Sequence, residues 1–294
     1  MFVVATSFSN GIAAKLAEKL GARLVRAEEK TFPDGESYLR IPEKLEGTTL
    51  IVHSLYAPQD VAYMKLLMAI DAAKGAGADR VVVAIPYVAY ARQDKRFLEG
   101  EPITVSIVLR GLETAGADAL VTVDIHQPRS LDEWLSIPHV NVLPVKELAD
   151  YFRVKLGQGV VLAPDKGALH RAEEAAKVLG LSYDYLEKTR DRVTGEVAIS
   201  PKEIDVSGKN VLIIDDIIST GGTIALAARS MLKMGAANVY VACTHALLVK
   251  GALDRIYHEG VKEAAATDSV PSPISKVSVA EAILRGLQQI KEAI

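Results

Sequence analysis

Three segments of the chain are built alike, and their shared pattern limits the possible folds more than any other feature. AAKGAGADRVVVAIPY (72–87), LETAGADALVTVDIH (112–126) and LKMGAANVYVACTH (232–245) each run helix-like residues into a Gly-Ala pair, a polar step and an apolar strand. Gly77, Gly116 and Gly235 fall where each helix should end, in a left-handed conformation that costs least without a Cβ. Helices alternating with buried strands predict parallel βαβ units. Further apolar runs at 49–53, 160–163 and 211–214 extend the series, each ending at a loop. The fold class expected is therefore α/β, as two doubly wound parallel-sheet domains.

A chain of 294 residues is long enough for two such cores. The divide is placed near residues 142–146, giving a first domain over 1–143 and a second over 144–277. The last helix, 278–294, is expected to pack on the first. No window approaches the roughly 20 apolar residues of a membrane span, and the N-terminus reads as a strand and a capped helix rather than a secretory signal. One cysteine, Cys243, excludes an internal disulfide and a Cys-clustered zinc site, and a cytoplasmic location is expected. A net charge of −3 argues against a nucleic-acid-coating surface.

In open parallel sheets ligands bind beyond the carboxyl ends of strands, so the loops there carry the search. They are FPDGE (32–36), PYVAYARQDKR (86–96), DIHQPR (124–129), PDKGALHR (164–171) and DDIISTGGT (215–223). In the last, Asp215 and Asp216 are expected at the end of a buried strand, where carboxylates can accept from the hydroxyls of a ribose. Ser219, Thr220, Gly221, Gly222 and Thr223 then form a tight loop whose N–H groups, with the N-terminus of the helix that follows, suit a phosphate. The loop lacks the Gly-Lys-Ser/Thr of a Walker A motif and the G-x-G-x-x-G of a dinucleotide site. Acids for a sugar beside amides for a phosphate indicate a sugar-phosphate site. The competing reading, an acidic turn before an ordinary helix cap, explains fewer of these residues.

At this loop the chain resembles the 5-phosphoribosyl-1-pyrophosphate (PRPP) signature of type I phosphoribosyltransferases and of ribose-phosphate diphosphokinases. FPDGE, RQDKR (92–96), DIH (124–126), PDKG (164–167) and KTR (188–190) resemble the motifs of the diphosphokinases, in their order and over nearly the whole chain. The likeness is to members of archaeal type, since QPRSLDEWL after His126 departs from the common bacterial pattern. It implies two pseudo-duplicated domains of type I phosphoribosyltransferase-like fold. It also implies transfer of the β,γ-diphosphoryl group of ATP to the 1-hydroxyl of ribose 5-phosphate, giving PRPP and AMP.

Residue by residue, the resemblance implies ATP contacts at Asp34, Gly35, Glu36, Arg92 and Gln93. It implies magnesium-associated positions at His126 and Asp165, with Mg²⁺ as cofactor. Lys188 and Arg190 would be the catalytic cations of a flexible basic flap. Ribose 5-phosphate would lie on Arg190, Asp215, Asp216 and Ser219 to Thr223. A homodimer or higher homo-oligomer is implied as well. Taken alone, FPDGE reads as a β-turn, KTR as a solvated charged turn, and His126 as a strand-end histidine like His245. Two rival readings fit less well: a phosphoribosyltransferase, which would not need FPDGE or RQDKR, and a silent PRPP-responsive regulator, which would not need the flap or His126.

Overall fold

A computed structural model describes the backbone of residues 1–190 and 197–293, and side chains except at 188–190, 197–199 and 293. The chain divides into two compact units, Met1–Leu143 with Val279–Ile294, and Pro144–Ser278.

In the first unit the elements in order are β1 (Phe2–Ala5), α1 (Ile12–Leu20), β2 (Arg23–Arg26), β3 (Glu28–Thr31), β4 (Ser37–Arg40), β5 (Thr48–Val52), α2 (Gln59–Gly75), β6 (Arg80–Ile85), α3 (Thr104–Thr114), β7 (Ala119–Val123), α4 (Arg129–Trp134) and β8 (His139–Val142). Six of the strands form one parallel sheet in the order β2-β1-β5-β6-β7-β8. The second unit follows with α5 (Val145–Leu156), β9 (Val160–Ala163), α6 (Leu169–Leu179), β10 (Ser182–Arg190), β11 (Val197–Pro201), β12 (Asn210–Ile218), α7 (Gly222–Lys233), β13 (Asn238–Ala246), α8 (Ala252–His258), β14 (Val261–Thr267) and β15 (Ser275–Val277). Its sheet runs β11-β10-β9-β12-β13-β14-β15, parallel except for β11, which pairs antiparallel with β10. Without β11 the two sheets share one winding, with the second strand outside the first and the later strands stepping away on the other side. The strand order reverses between β1 and β5 in one unit and between β9 and β12 in the other.

The local chemistry explains the layers. β6 and β7 are buried along nearly their whole length, as parallel strands covered on both faces must be. Gly77, Gly116 and Gly235, at φ 104°, 108° and 89°, each lie one residue beyond a helix's cap residue and turn the chain toward the next strand. The final helix, α9 (Ala280–Gln289), sends Ile283 and Leu287 into the core of the first unit, beside Val3, Leu50, Val82 and Val121. Gly286 sets how close it sits, since a Cβ there would lie 2.9 Å from both Val121 Cγ1 and Val142 Cγ1. Cys243 is a fully buried core residue of β13.

Three local expectations change. The helix after β1 has no side-chain cap, because Gly11 in a left-handed conformation occupies its N-cap. FPDGE does not follow a strand of the parallel sheet; it is the turn of a separate two-stranded antiparallel hairpin, β3–β4. The strand expected to stop at Ile214 continues to Ile218, because β13 pairs with it as far as Ala246. Pairing skips Asp216 alone, between Asp215 opposite Cys243 and Ile217 opposite His245.

Candidate active site

The reversal between β9 and β12 opens the crevice where a doubly wound sheet binds ligands. A cavity of about 170 Å³ lies there, lined by Asp165, Asp215 and residues 217–224. β12 delivers Asp215, the loop after β9 delivers Asp165, and the loop between β12 and α7 closes the floor. That loop ends at Gly221, the N-cap of α7, at φ 74° and with no side-chain cap, so the first N–H groups of a 12-residue helix keep no internal partner. Such groups favour an anion.

Two contacts hold the loop in shape. Arg255 of α8 donates from Nη1 to the Thr220 carbonyl and from Nη2 to the Lys250 carbonyl, the latter at 3.4 Å. Gly221 then packs so tightly on α8 that a Cβ would lie 3.0 Å from the Ala252 carbonyl oxygen and 3.1 Å from Ile256 Cδ1. A glycine is thus required twice, by its dihedral and by its neighbour.

The paired acids play unequal parts. Asp215 lines the cavity, whereas Asp216 is outside the lining, 8% exposed and 3.7 Å from Arg171 Nη2. Burial, then the Asp216 carboxylate, pushes the Asp215 carboxyl well above the ordinary carboxylate range, while Arg171 pulls it back. Asp215 is poised for a ligand that favours its charged form, such as a pair of hydroxyl donors or a cation. Asp165 is exposed and already accepts from Gly167 N at 2.8 Å and Ala168 N at 3.3 Å, through the same oxygen, Oδ1.

Lys188 and Arg190 belong by backbone to β10, opposite Ile199 and Val197 of β11, rather than to a loop. Their side chains, and the rest of the expected flap at 191–196, lie outside the described residues.

The remaining positions are in the first unit. Asp34, Gly35 and Glu36 form the exposed hairpin turn, with Gly35 at φ 98°, its N–H donating to the Phe32 carbonyl at 2.9 Å, and Glu36 N donating to Asp34 Oδ1 at 3.2 Å. Arg92 is exposed in the segment between β6 and α3. Gln93 is half-buried there and donates from Nε2 to Glu101 Oε2 at 3.2 Å. His126 is exposed just beyond β7, while its counterpart His245 is buried and shares a 2.8 Å hydrogen bond with Ser269 Oγ. The two histidines thus differ in kind despite equal spacing from their glycines.

Among the described residues, no group of three or more His, Cys, Asp or Glu side chains could enclose a metal ion. Mg²⁺ does not need one, since it commonly rests on one or two carboxylates, substrate phosphates and waters. Asp165 and Asp215 on one cavity fit that sparse donor set. Arg255 carries no local sequence signal, because its link to Thr220 spans 35 residues.

Two phosphoribosyltransferase-like domains in tandem, one with an open cavity at its strand reversal, define the class of protein. Residues 1–116 match the N-terminal domain of ribose phosphate pyrophosphokinase, and 145–272 match the phosphoribosyl transferase domain. The ribose-phosphate pyrophosphokinase of Methanopyrus kandleri is 44% identical over 293 residues, covering 99% of each chain. That of Pyrococcus furiosus is 46% identical over 263 residues, covering 90% of this chain and 92% of its own. The crystal structure of phosphoribosylpyrophosphate synthetase from Mycobacterium smegmatis superposes with a TM-score of 0.84 at 29% identity, covering 99% of this chain and 98% of the other. The chain belongs to the ribose-phosphate pyrophosphokinase family.

Proposed function

We propose that the second unit's cavity holds ribose 5-phosphate and that the enzyme transfers the β,γ-diphosphoryl group of ATP to its 1-hydroxyl, giving PRPP and AMP. The observation that carries this reading is the convergence of Asp165, Asp215 and the 219–223 loop at the sheet's reversal point, against the N-terminus of α7. The phosphate sits on the loop's amides, and Asp215 receives ribose hydroxyls. Asp216 acts one step back, neutralised by Arg171 and raising the basicity of Asp215.

In the reaction the sugar's O1 forms a bond to the β-phosphorus, the bond from that phosphorus to the α-phosphate oxygen breaks, and the hydroxyl proton is released. Such chemistry asks mainly for alignment and for charge spread over phosphate oxygens. Lys188 and Arg190 supply positive charge to the transferring group, and Arg190 also serves the ribose ester. Asp34, Gly35, Glu36, Arg92 and Gln93 receive the nucleotide. Asp165 would hold Mg²⁺ at the second unit's cavity, and His126 is a further magnesium-associated position, through phosphate or a bound water. Bound Mg²⁺ would supply charge neutralisation on the phosphates. No helix among the described residues is long and apolar enough to cross a membrane. The working form is a cytoplasmic homodimer or higher homo-oligomer.

Incubation with ribose 5-phosphate, ATP and Mg²⁺ should yield AMP and PRPP in equal amounts. The variant Lys188→Ala should lose about a hundredfold or more in kcat while KM for ribose 5-phosphate stays nearly constant, the mark of a contact made in the transition state. Equal losses in both constants would remove Lys188 from the chemical step.

A further inference from the structure

Of the two nucleotide segments of the first unit, the hairpin has no buried core of its own, and the 92–96 stretch is braced within its loop by Glu101, which accepts from Gln93 Nε2, Phe97 N and Leu98 N. The β3–β4 hairpin is a sheet apart, four residues a side and with no buried position in either strand, and such an isolated pair is marginal in water. Residues 86–103 connect β6 to α3 as one long loop.

Both are fastened to the same helix. Glu29 of β3 accepts from Lys65 Nζ of α2 at 2.8 Å and from Ser7 N and Ser7 Oγ at 2.6 Å each. The side chains of Lys65 and Glu29 are only 11% and 10% exposed, so the ion pair that ties the hairpin to α2 is largely desolvated. Lys65 also stands 5.8 Å from the Phe8 ring centroid. Five residues earlier on α2, about 7.5 Å along its axis, Asp60 accepts from the Tyr90 hydroxyl. Tyr90 holds φ at 64°, a strained value for an aromatic residue, and its carbonyl accepts from Gln93 N at 3.0 Å. The Tyr90 turn therefore sets the direction of Arg92 and Gln93.

We propose that the first half of α2 positions both nucleotide segments, Lys65 acting through Glu29 on the 32–36 turn and Asp60 acting through Tyr90 on the 92–96 stretch. The inference rests on the nucleotide reading of those two segments. None of the four touches the reacting atoms; they are positioning residues. The hydrogen bonds are directional and the ion pair is shielded, so each tether fixes an orientation rather than merely an attraction.

Full-length Glu29→Gln, Lys65→Met and Tyr90→Phe enzymes test this, with Arg92→Ala as the control on the underlying reading. Each tether variant should raise KM for ATP roughly tenfold and leave KM for ribose 5-phosphate within about twofold, as expected for lost alignment of one substrate. Amide hydrogen exchange should quicken over 28–40 in the first two variants and over 88–101 in the third. Unchanged KM for ATP in Tyr90→Phe and Glu29→Gln, or KM values for both substrates rising together, overturns the proposal. If Glu29→Gln does not fold, Tyr90→Phe, which loses a single exposed hydroxyl, decides. If Arg92→Ala leaves KM for ATP unchanged, the nucleotide reading has failed instead, and segment-specific exchange still decides whether the tethers hold.

Discussion

Lowering the pH from 7 to 5 should destabilise the first unit, chiefly through His53. This side chain, one residue beyond β5, is fully buried, its Nδ1 is 2.8 Å from Thr6 Oγ1, and its ring stacks on Phe8 at 5.1 Å. Burial lowers its pKa from 6.5 to about 4, against smaller upward pulls from the Ala62 backbone and then Glu29. A depressed histidine binds its proton more readily in the unfolded chain, so stability is full above pH 6.5 and falls as pH drops toward 4. With those two values the loss is about 2 kcal/mol at pH 5 and about 3 kcal/mol at pH 4. The chain's single tryptophan, Trp134 of α4, belongs to the same unit, so its fluorescence during guanidinium unfolding reports the relevant equilibrium. His53→Gln keeps a polar side chain without a titrating ring and should flatten the difference between pH 7 and pH 5. All other groups, including the upward-shifted Asp215 of the second unit, are common to both proteins and cancel in the comparison. If wild type and variant lose equal stability over that interval, His53 is not a source of the acid sensitivity.

Other substitutions probe the packing and the cradle. Gly286→Ala should cost the first unit about 1–3 kcal/mol, because a methyl at 2.9 Å from two valine methyls forces α9 off the sheet; the same fluorescence titration reads it. Gly221→Ala should weaken ribose 5-phosphate binding roughly tenfold while leaving KM for ATP unchanged, since the added Cβ meets the Ala252 carbonyl and distorts only the phosphate loop. Arg255→Met should do the same more mildly by freeing the Thr220 carbonyl, and calorimetric titration with ribose 5-phosphate would show it as lost affinity.

Most of the architecture is legible in the sequence because parallel strands and helix ends leave local signals. The run VVVAI at 81–85 can only be a strand buried on both faces, and Gly77 marks where its preceding helix must turn. The loop before α7 is legible for the same reason, since Ser219 to Thr223 is contiguous and follows a strand directly. What escapes is whatever depends on partners distant in the chain. The continuation of β12 through Asp215 to Ile218 is set by pairing with β13, and the unequal fate of the two aspartates follows from strand alternation and from Arg171, 45 positions upstream of Asp216. The tether of Glu29 to Lys65 spans 36 residues and looks, in sequence, like two ordinary surface charges.

The shared winding of the two sheets gives each unit a crevice at its strand reversal, yet the crevices are furnished oppositely. In the second unit the loops after β9 and β12 carry small and acidic residues, and a cavity stays open between them. In the first, the corresponding loops after β1 and β5 bring Phe8 against His53 and Tyr56, each ring pair at 5.1 Å, while Ser9 Oγ donates to the Val52 carbonyl at 2.5 Å. Aromatic packing and hydrogen-bonded hydroxyls thus occupy the place where the other unit leaves an open cavity. Filling it gives the first unit a firm surface at that end of its sheet, on which Ser7 and Lys65 grip Glu29. One shared layout thus ends differently in the two units: the second keeps an open cavity at its reversal point, and the first packs that place into the foundation from which a separate hairpin is held out.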